Sequence, residues 1–296
     1  MRVACIGEAM VELALDPSGQ TAQVGFAGDT LNTAIYLKRA APEIEVSYVT
    51  RLGTDAFSDE LHGFIAAEDI ETDDIETSDT RRVGLYAITT DEDGERSFSY
   101  WREHSAAREM FQNEKGTDFS ALDKFDLIYF SAITLAILPD AVRSDFYNWI
   151  AGFRAKGGRV SFDSNYRPAL WTTLPLAQAR IDQCWKLTDI ALPSVDDEQN
   201  VFGDNSVEQV VARLQKCRVS QGALKCGPDG PRSLGEAVNQ TYPHAETVLD
   251  TTAAGDSFNG GYLAALLTGA SQKDALLAGH MLAREVVGIK GAIKPR

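Results

Sequence analysis

Short apolar runs alternate along this chain with longer segments whose apolar positions recur every three or four residues. That alternation predicts buried strands joined by crossover helices, the pattern of an α/β protein with a mainly parallel sheet. The runs Val3–Ile6, Val46–Leu52, Leu127–Phe130, Arg159–Asp163 and Ile190–Pro193 are the expected core strands. Helical periodicity falls between them at Leu31–Arg39, Ala56–Glu68, Ala141–Lys156 and Leu176–Lys186. The stretch Val83–Trp101 behaves differently. Gly84–Thr89 and Ser97–Trp101 are strand-like and flank Asp91-Glu92-Asp93-Gly94, which is hairpin-turn chemistry. A hairpin inserted in such a chain either extends the sheet or forms a small flap over a site. With no internal repeat, low-complexity tract or Pro/Ser-rich linker, the expectation is one domain over residues 1–296.

Composition narrows the class. At 296 residues the chain can bury roughly 75% of its unfolded surface, so no disulfide or metal is needed to hold a core. A hydrophobic share of 44% and a charged share of 24% are those of an ordinary globular protein. The net charge of −15 argues against nonspecific nucleic-acid or anionic-membrane binding, both of which need a basic surface. It does not argue against a small anionic substrate, since a few arginines in a cleft reverse the local field. Cys5, Cys184, Cys217 and Cys226 lack C-x-x-C spacing and read as reduced thiols. The N-terminus reads as a buried first strand rather than a signal peptide, and no apolar run reaches the roughly 18 residues of a membrane helix. The expected location is the cytoplasm.

The most informative segment is Leu249-Asp250-Thr251-Thr252-Ala253-Ala254-Gly255-Asp256-Ser257-Phe258-Asn259-Gly260-Gly261-Tyr262. Small residues lead into a helix with Phe258, Tyr262 and Leu266 on one face. Such a turn leaves unpaired N–H groups at the positive end of the helix dipole, a ready anion site. Asp256 lies in that first turn, where a lone aspartate ordinarily caps the helix or favours its dipole. Gly260 and Gly261 cost roughly 1 kcal/mol each relative to alanine inside a helix, so close packing or a ligand must offset them. The segment Gly25-Phe26-Ala27-Gly28-Asp29-Thr30-Leu31-Asn32-Thr33-Ala34 also enters a helix, with Asp29 or Thr30 as its expected cap. Asn32 is harder to explain, because asparagine gains little in a helix interior. No G-x-x-x-x-G-K-[ST], G-x-G-x-x-G or H-E-x-x-H occurs, which removes the P-loop, the Rossmann dinucleotide site and a zincin centre.

Asp250-Thr251-Thr252-Ala253-Ala254-Gly255-Asp256-Ser257-Phe258 resembles the D-T-x-G-A-G-D-x-F signature of the ribokinase-like (PfkB) carbohydrate kinases. Ala27-Gly28-Asp29-Thr30-Leu31-Asn32-Thr33-Ala34 is similar to their N-terminal G-G-x-x-x-N-x-A segment. Gly53-Thr54-Asp55 resembles the family G-x-D, Asp163-Ser164-Asn165-Tyr166-Arg167 the D-x-N-x-R, and Lys225-Cys226-Gly227-Pro228-Asp229-Gly230 the K-x-G-x-x-G. The resemblance spans the chain. Within the family, Gly28–Thr33, Gly84-Leu85-Tyr86 and Gly94–Arg102 look most like the 2-keto-3-deoxygluconate kinases. Ala27 and Ala253 replace family glycines, and the family N-x-x-E reads Ser194-Val195-Asp196-Asp197-Glu198. Both alanines are small enough to let phosphate approach.

The resemblance implies a ribokinase-like fold with a small β lid drawn from about residues 9–26 and 82–103. It implies phosphorylation of 2-keto-3-deoxygluconate by ATP, with Asp256 as general base and Ala253, Ala254 and Gly255 as the anion hole. ATP is expected against Asp163, Asn165, Lys225, Gly227, Gly230, Ala253, Ala254 and Gly255. Mg²⁺ is expected on the phosphates, largely water-coordinated, with Asp197 or Glu198 in indirect support. The substrate is expected against Gly28, Asp29, Asn32, Tyr86, Tyr100, Arg102 and Arg167. An aldonic 2-keto acid carries a carboxylate that ribose and fructose lack, and Arg102 and Arg167 are guanidinium donors suited to it. Tyr86 and Tyr100 also have the periodicity of core aromatics, and Arg96, beside the turn, reads as solvated. The alternatives are a fructokinase or ribokinase acting on a neutral sugar, and a catalytically silent sugar or nucleotide sensor. The exposed face of the lid sheet makes a homodimer the expected assembly.

Overall fold

The computed structural model describes residues 1–16, 18–90 and 96–296. Its strands are, in chain order, β1 (Arg2–Ile6), β2 (Met10–Leu15), β3 (Ala22–Ala27), β4 (Glu45–Leu52), β5 (Ile75–Thr77), β6 (Gly84–Thr90), β7 (Arg96–Trp101), β8 (Gln112–Asn113), β9 (Gly116–Thr117), β10 (Leu127–Ser131), β11 (Arg159–Asp163), β12 (Ile190–Ala191), β13 (Gly222–Leu224) and β14 (Arg232–Leu234). The α-helices are α1 (Asp29–Ala40), α2 (Ala56–Ala67), α3 (Ala132–Ile137), α4 (Asp140–Ala155), α5 (Leu174–Trp185), α6 (Val195–Phe202), α7 (Val207–Lys216), α8 (Ala254–Leu267) and α9 (Gln272–Val286).

The main sheet has the order β14-β13-β12-β11-β10-β1-β4-β5, parallel except for β14 at one edge. Strand alternation supplies two cores, because successive side chains leave opposite faces. Val3 and Cys5 of β1 and Leu127 and Tyr129 of β10 pack with α1, α2, α8 and α9. Ala4, Ile6, Ile128 and Phe130 pack on the other face with Phe146 of α4, Trp185 of α5 and Leu214 of α7. From β1 the chain builds one half of the sheet through β4 and β5, and from β10 it builds the other. The order therefore reverses between β1 and β10, and such switch points open a crevice at the carboxyl ends of the strands.

A separate four-stranded sheet, β3-β2-β6-β7, rises from that end. The expected hairpin strands are its β6 and β7, paired antiparallel with Tyr86 opposite Tyr100. Its turn, Asp91-Glu92-Asp93-Gly94, and the Arg96 side chain lie outside the described residues. Parallel pairing of β2 with β6 joins the segment after β1 to the hairpin.

The start of α1 corrects one expectation. Gly28, not Asp29 or Thr30, is the N-cap of α1, and no side chain caps it. Asp29 is drawn instead to Ser131 and Asn165, and Thr30 is buried with its hydroxyl 3.1 Å from the Tyr48 hydroxyl. The Gly53-Thr54-Asp55 segment ends in an N-cap, since Asp55 accepts from the Ser58 amide at 3.2 Å. Close packing explains the two mid-helix glycines. A Cβ at Gly260 would lie 2.6 Å from Tyr36 Cβ of α1, and one at Gly261 would lie 3.0 Å from the Ala278 carbonyl of α9. Among the described residues no helix is long and apolar enough to cross a membrane.

Candidate active site

The carboxyl ends of β1, β10 and β11 and the amino ends of α1 and α8 converge on one crevice. Asp256 is the third residue of α8. Its Oδ2 accepts from Asn32 Nδ2 of α1 at 2.8 Å, and its backbone carbonyl accepts from Thr33 Oγ1 at 3.2 Å. Asn32 sits in a helix because its amide has this partner, which answers the question its position raised. Burial pushes the Asp256 carboxyl up to about 8; the Asp29 and Asp163 charges push the same way, while Asn32 and Lys225 oppose them. Asp256 is therefore not a helix cap. It is a carboxylate poised to exchange a proton near neutral pH.

Asp29 Oδ2 accepts from Ser131 Oγ at 2.5 Å and Asn165 Nδ2 at 2.8 Å. Burial raises its carboxyl above the ordinary range, the Ser131 hydrogen bond opposes this, and the Asp163 charge adds to it. Asp163, the last residue of β11, accepts on Oδ2 from Lys225 Nζ at 2.8 Å and Asn259 Nδ2 at 2.6 Å. Asn259 also accepts from Lys225 Nζ at 3.1 Å and donates to the Tyr129 hydroxyl at 3.1 Å. Three carboxylates thus share one crevice with a single lysine among these contacts, an imbalance that favours protonation or cation binding.

A cavity of about 580 Å³ opens beside the α8 amino end, lined by Lys225, Gly227, Gly230, Ala254, Gly255 and Val248 among others. Lys225, Gly227, Gly230, Ala254 and Gly255, five of the residues expected against the nucleotide, come together there; Asp163, Asn165 and Ala253 do not line this space. Asn165 serves Asp29 instead. Ala253 packs toward Met10, Ala27, Tyr86 and Ile88 of the small sheet and Ala292 near the C-terminus.

Ala253 is the N-cap of α8 with φ 60° and ψ 14°, the left-handed region. A Cβ there costs roughly 1–2 kcal/mol, part of which glycine returns as unfolded-state entropy. Ala253→Gly should therefore stabilise the chain by up to about 1 kcal/mol in urea unfolding. A loss of stability would mean that the alanine methyl contributes more to packing than the turn loses to strain.

The substrate-side residues lie on the small sheet and α1. Tyr86 is buried, donates its hydroxyl to Glu12, and stands 5.7 Å from the half-exposed Tyr100 ring. Arg102, just beyond β7, is buried, pairs with Glu8, and has its guanidinium carbon 5.9 Å from the Tyr100 ring centroid. Arg167 is more open: its side chain is 55% exposed, it donates to the Tyr166 carbonyl at 2.9 Å, and it lies 3.7 Å from Asp197. Gly28 lies at the amino end of α1, its amide 3.5 Å from Asn32 Oδ1.

The two acidic candidates for the metal side separate. Glu198 is buried against Arg213 at 2.6 Å, and burial pushes its carboxyl up to about 7. Asp197 accepts from Ser194 Oγ at 2.6 Å and faces Ser164 and Arg167. Among the described residues no three His, Cys, Asp or Glu side chains form a cage for a metal ion. Glu198 is committed to Arg213, so Asp197 is the more available of the two, while the carboxylate that lines the cavity is its neighbour Asp196.

Sequence reasoning missed Glu8, Ser131 and Asn259 as parts of this site. Two had visible signals: Glu8 is a charge directly after a buried strand, and Asn259 is an asparagine in a helix interior, like Asn32.

Comparison with known proteins identifies the family. The chain is 41% identical to the 2-dehydro-3-deoxygluconokinase of Escherichia coli K12 over 303 residues, covering 100% of this chain and 97% of the relative. It is also 41% identical to the 2-dehydro-3-deoxygluconokinase of Dickeya dadantii, with 99% and 96% covered. The crystal structure of a fructokinase with bound ATP from Xylella fastidiosa shares the fold at a TM-score of 0.83 and 22% identity, over 98% of this chain and 93% of that one. Residues 1–296 match the pfkB family carbohydrate kinase description throughout, and the chain belongs to that family.

Proposed function

We propose that this kinase transfers the γ-phosphoryl group of ATP to the C6 hydroxyl of 2-keto-3-deoxygluconate, giving 2-keto-3-deoxy-6-phosphogluconate. The observation that carries the reading is Asp256 in the first turn of α8, bonded to Asn32 of α1 and directly following Ala254 and Gly255, which line the cavity. The kinases near 40% identity act on the same keto acid, which supports the substrate class.

In this reading the substrate hydroxyl lies against Asp256. As its oxygen bonds to the γ-phosphorus, the bond to the bridging oxygen of ADP breaks and the hydroxyl proton passes to an Asp256 carboxylate oxygen. The α8 amides from Ala254 onward, led by the Ala253 turn, face the charge on the equatorial oxygens. Lys225, whose Nζ stands 3.6 Å from where a Gly255 Cβ would be, adds a cation at the same place. Bound Mg²⁺ would neutralise phosphate charge, with Asp197 holding its waters. Gly28, Asp29 and Asn32 hold substrate hydroxyls, while Arg102 and Arg167 take the carboxylate.

The small sheet acts as a lid that excludes water from the phosphoryl group. On the face away from Tyr86 and Tyr100 it leaves Val24 and Trp101 exposed, a surface that a second copy of the chain would cover. The expected assembly is therefore a homodimer, and sedimentation at the monomer mass would remove that part of the proposal.

An ATPase-coupled assay against 2-keto-3-deoxygluconate, its galactonate-derived epimer, fructose and ribose tests the activity. The expected result is a kcat/KM for a keto acid at least about 10²-fold above that for fructose, the discrimination a site built around a charged group achieves. A preference for fructose would make this a neutral-sugar kinase, and no turnover of any of the four would leave a silent sensor.

A further inference from the structure

Glu8 stands two residues beyond β1, in the floor of the crevice, and is 2% exposed. Its Oε2 accepts from Arg102 Nη2, and the Arg102 side chain is itself only 8% exposed. The pairing is one-pointed. Among the described residues Glu8 Oε1 and Arg102 Nε are both buried without a hydrogen-bond partner. A structural Arg–carboxylate pair ordinarily closes as a two-bond fork, which would satisfy both atoms. This pair leaves one donor and one acceptor open in the region where the substrate carboxylate is expected.

The surroundings keep the carboxylate where it is. Gly84, at the start of β6, would place a Cβ 2.6 Å from Glu8 Oε1 and 3.1 Å from Met10 Cγ, so a larger residue would displace Glu8. Across the main chain Gly84 belongs to the same hairpin that carries Arg102, and β2 next to Glu8 pairs with β6. The Glu8–Arg102 contact therefore links the rigid floor of the parallel sheet to the moving part proposed above.

We propose that Glu8 is a positioning residue: it holds the Arg102 guanidinium inward, by one oxygen, so that the remaining donors of Arg102 are presented to the substrate carboxylate. This rests on the reading of Arg102 as a substrate ligand. Without the anchor, a desolvated guanidinium has water as its better partner and turns outward. Phosphate-side groups are untouched, so the effect belongs to the keto acid alone.

Glu8→Asp keeps the charge and withdraws the oxygen by one methylene. It should raise KM for 2-keto-3-deoxygluconate about 10- to 100-fold while kcat stays within about 3-fold and KM for ATP within about 2-fold. Glu8→Gln keeps an oxygen in place and should raise the keto-acid KM by less than about 5-fold. In an Arg102→Met background Glu8→Asp should change nothing further. An unchanged keto-acid KM in Glu8→Asp, or an equal rise in KM for ATP, overturns the proposal. Should Glu8→Asp not fold, Glu8→Gln against Glu8→Met decides, since only the glutamine offers an acceptor; equal KM values in the two overturn it. Failure of the underlying reading looks different: Arg102→Met would then itself leave the keto-acid KM unchanged.

Discussion

Asp256→Asn should lower kcat by at least about 10²-fold, the usual scale of a lost general base, while KM for ATP and for the keto acid stays within a few-fold. The asparagine keeps the shape and the contact with Asn32 but cannot accept the proton. The same change should stabilise the protein. The Asp256 carboxyl is raised from 3.8 to about 8 by burial and by Asp29 and Asp163. A carboxyl with a raised folded pKa is fully tolerated below its unfolded pKa and costs stability as pH rises toward the folded one. The variant has nothing to ionise, so its Tm advantage over the parent should grow between pH 5 and pH 8 and level off above. A catalytic group that weakens the fold is the usual form of a stability–activity compromise. Parent kcat/KM should rise about tenfold per pH unit below about 8 and flatten above it, because this ratio reports the free enzyme. A flat profile from pH 6.5 to 9, or an Asn variant with near-parent kcat, would remove Asp256 from the role of base.

Loss of either arginine proposed to bind the carboxylate should change substrate choice rather than general activity. A charge-assisted hydrogen bond is worth about 1.5–3 kcal/mol, so Arg102→Ala should cut kcat/KM for 2-keto-3-deoxygluconate by about 10- to 150-fold. Fructose has no carboxylate and should lose less than about 3-fold. Removing Arg102 also strips a buried Glu8 of its partner, which can cost about 3–5 kcal/mol of stability. The assay therefore belongs well below the lowered Tm, with the ratio of the two substrates as its internal control. Arg167 is half-exposed beside Asp197, so Arg167→Ala should cost little stability and have the smaller effect on the ratio. If both variants weaken fructose as much as the keto acid, neither arginine reads the carboxylate. If Arg167→Ala moves KM for ATP instead, that side chain serves the phosphates.

The fold was largely legible. Strands with four or five consecutive buried residues, such as β1, β10 and β11, declare themselves because a parallel strand is apolar on both faces. The short strands β13 and β14 were not seen: three residues carry too little periodicity, and pairing with neighbouring strands alone makes them strands. The helices α7 and α9 have sound apolar faces and went unassigned, although His280, Ala283 and Arg284 of α9 line the cavity beside α8. Asp29 was read locally, as a cap. It went elsewhere because Ser131 and Asn165, over 100 residues away in sequence, come within hydrogen-bond reach only when β10 and β11 lie side by side.

Resemblance to the family motifs placed the anion turn, the Asn32 helix and the lysine segment near one centre, and the first two also carried local signals: small residues at a helix start, and an asparagine a helix interior does not favour. The protonation of Asp256 was not there to be read. It depends on water excluded by α1 and α8 and on two further carboxylates brought near it by distant parts of the chain. The partner of Arg102 was equally hidden, because Glu8 and Arg102 are 94 residues apart and meet only where the small sheet returns over β1. Residue type and spacing carry what a short segment does by itself; charge, desolvation and pairing are sums over neighbours, and the neighbours exist only once the chain has folded.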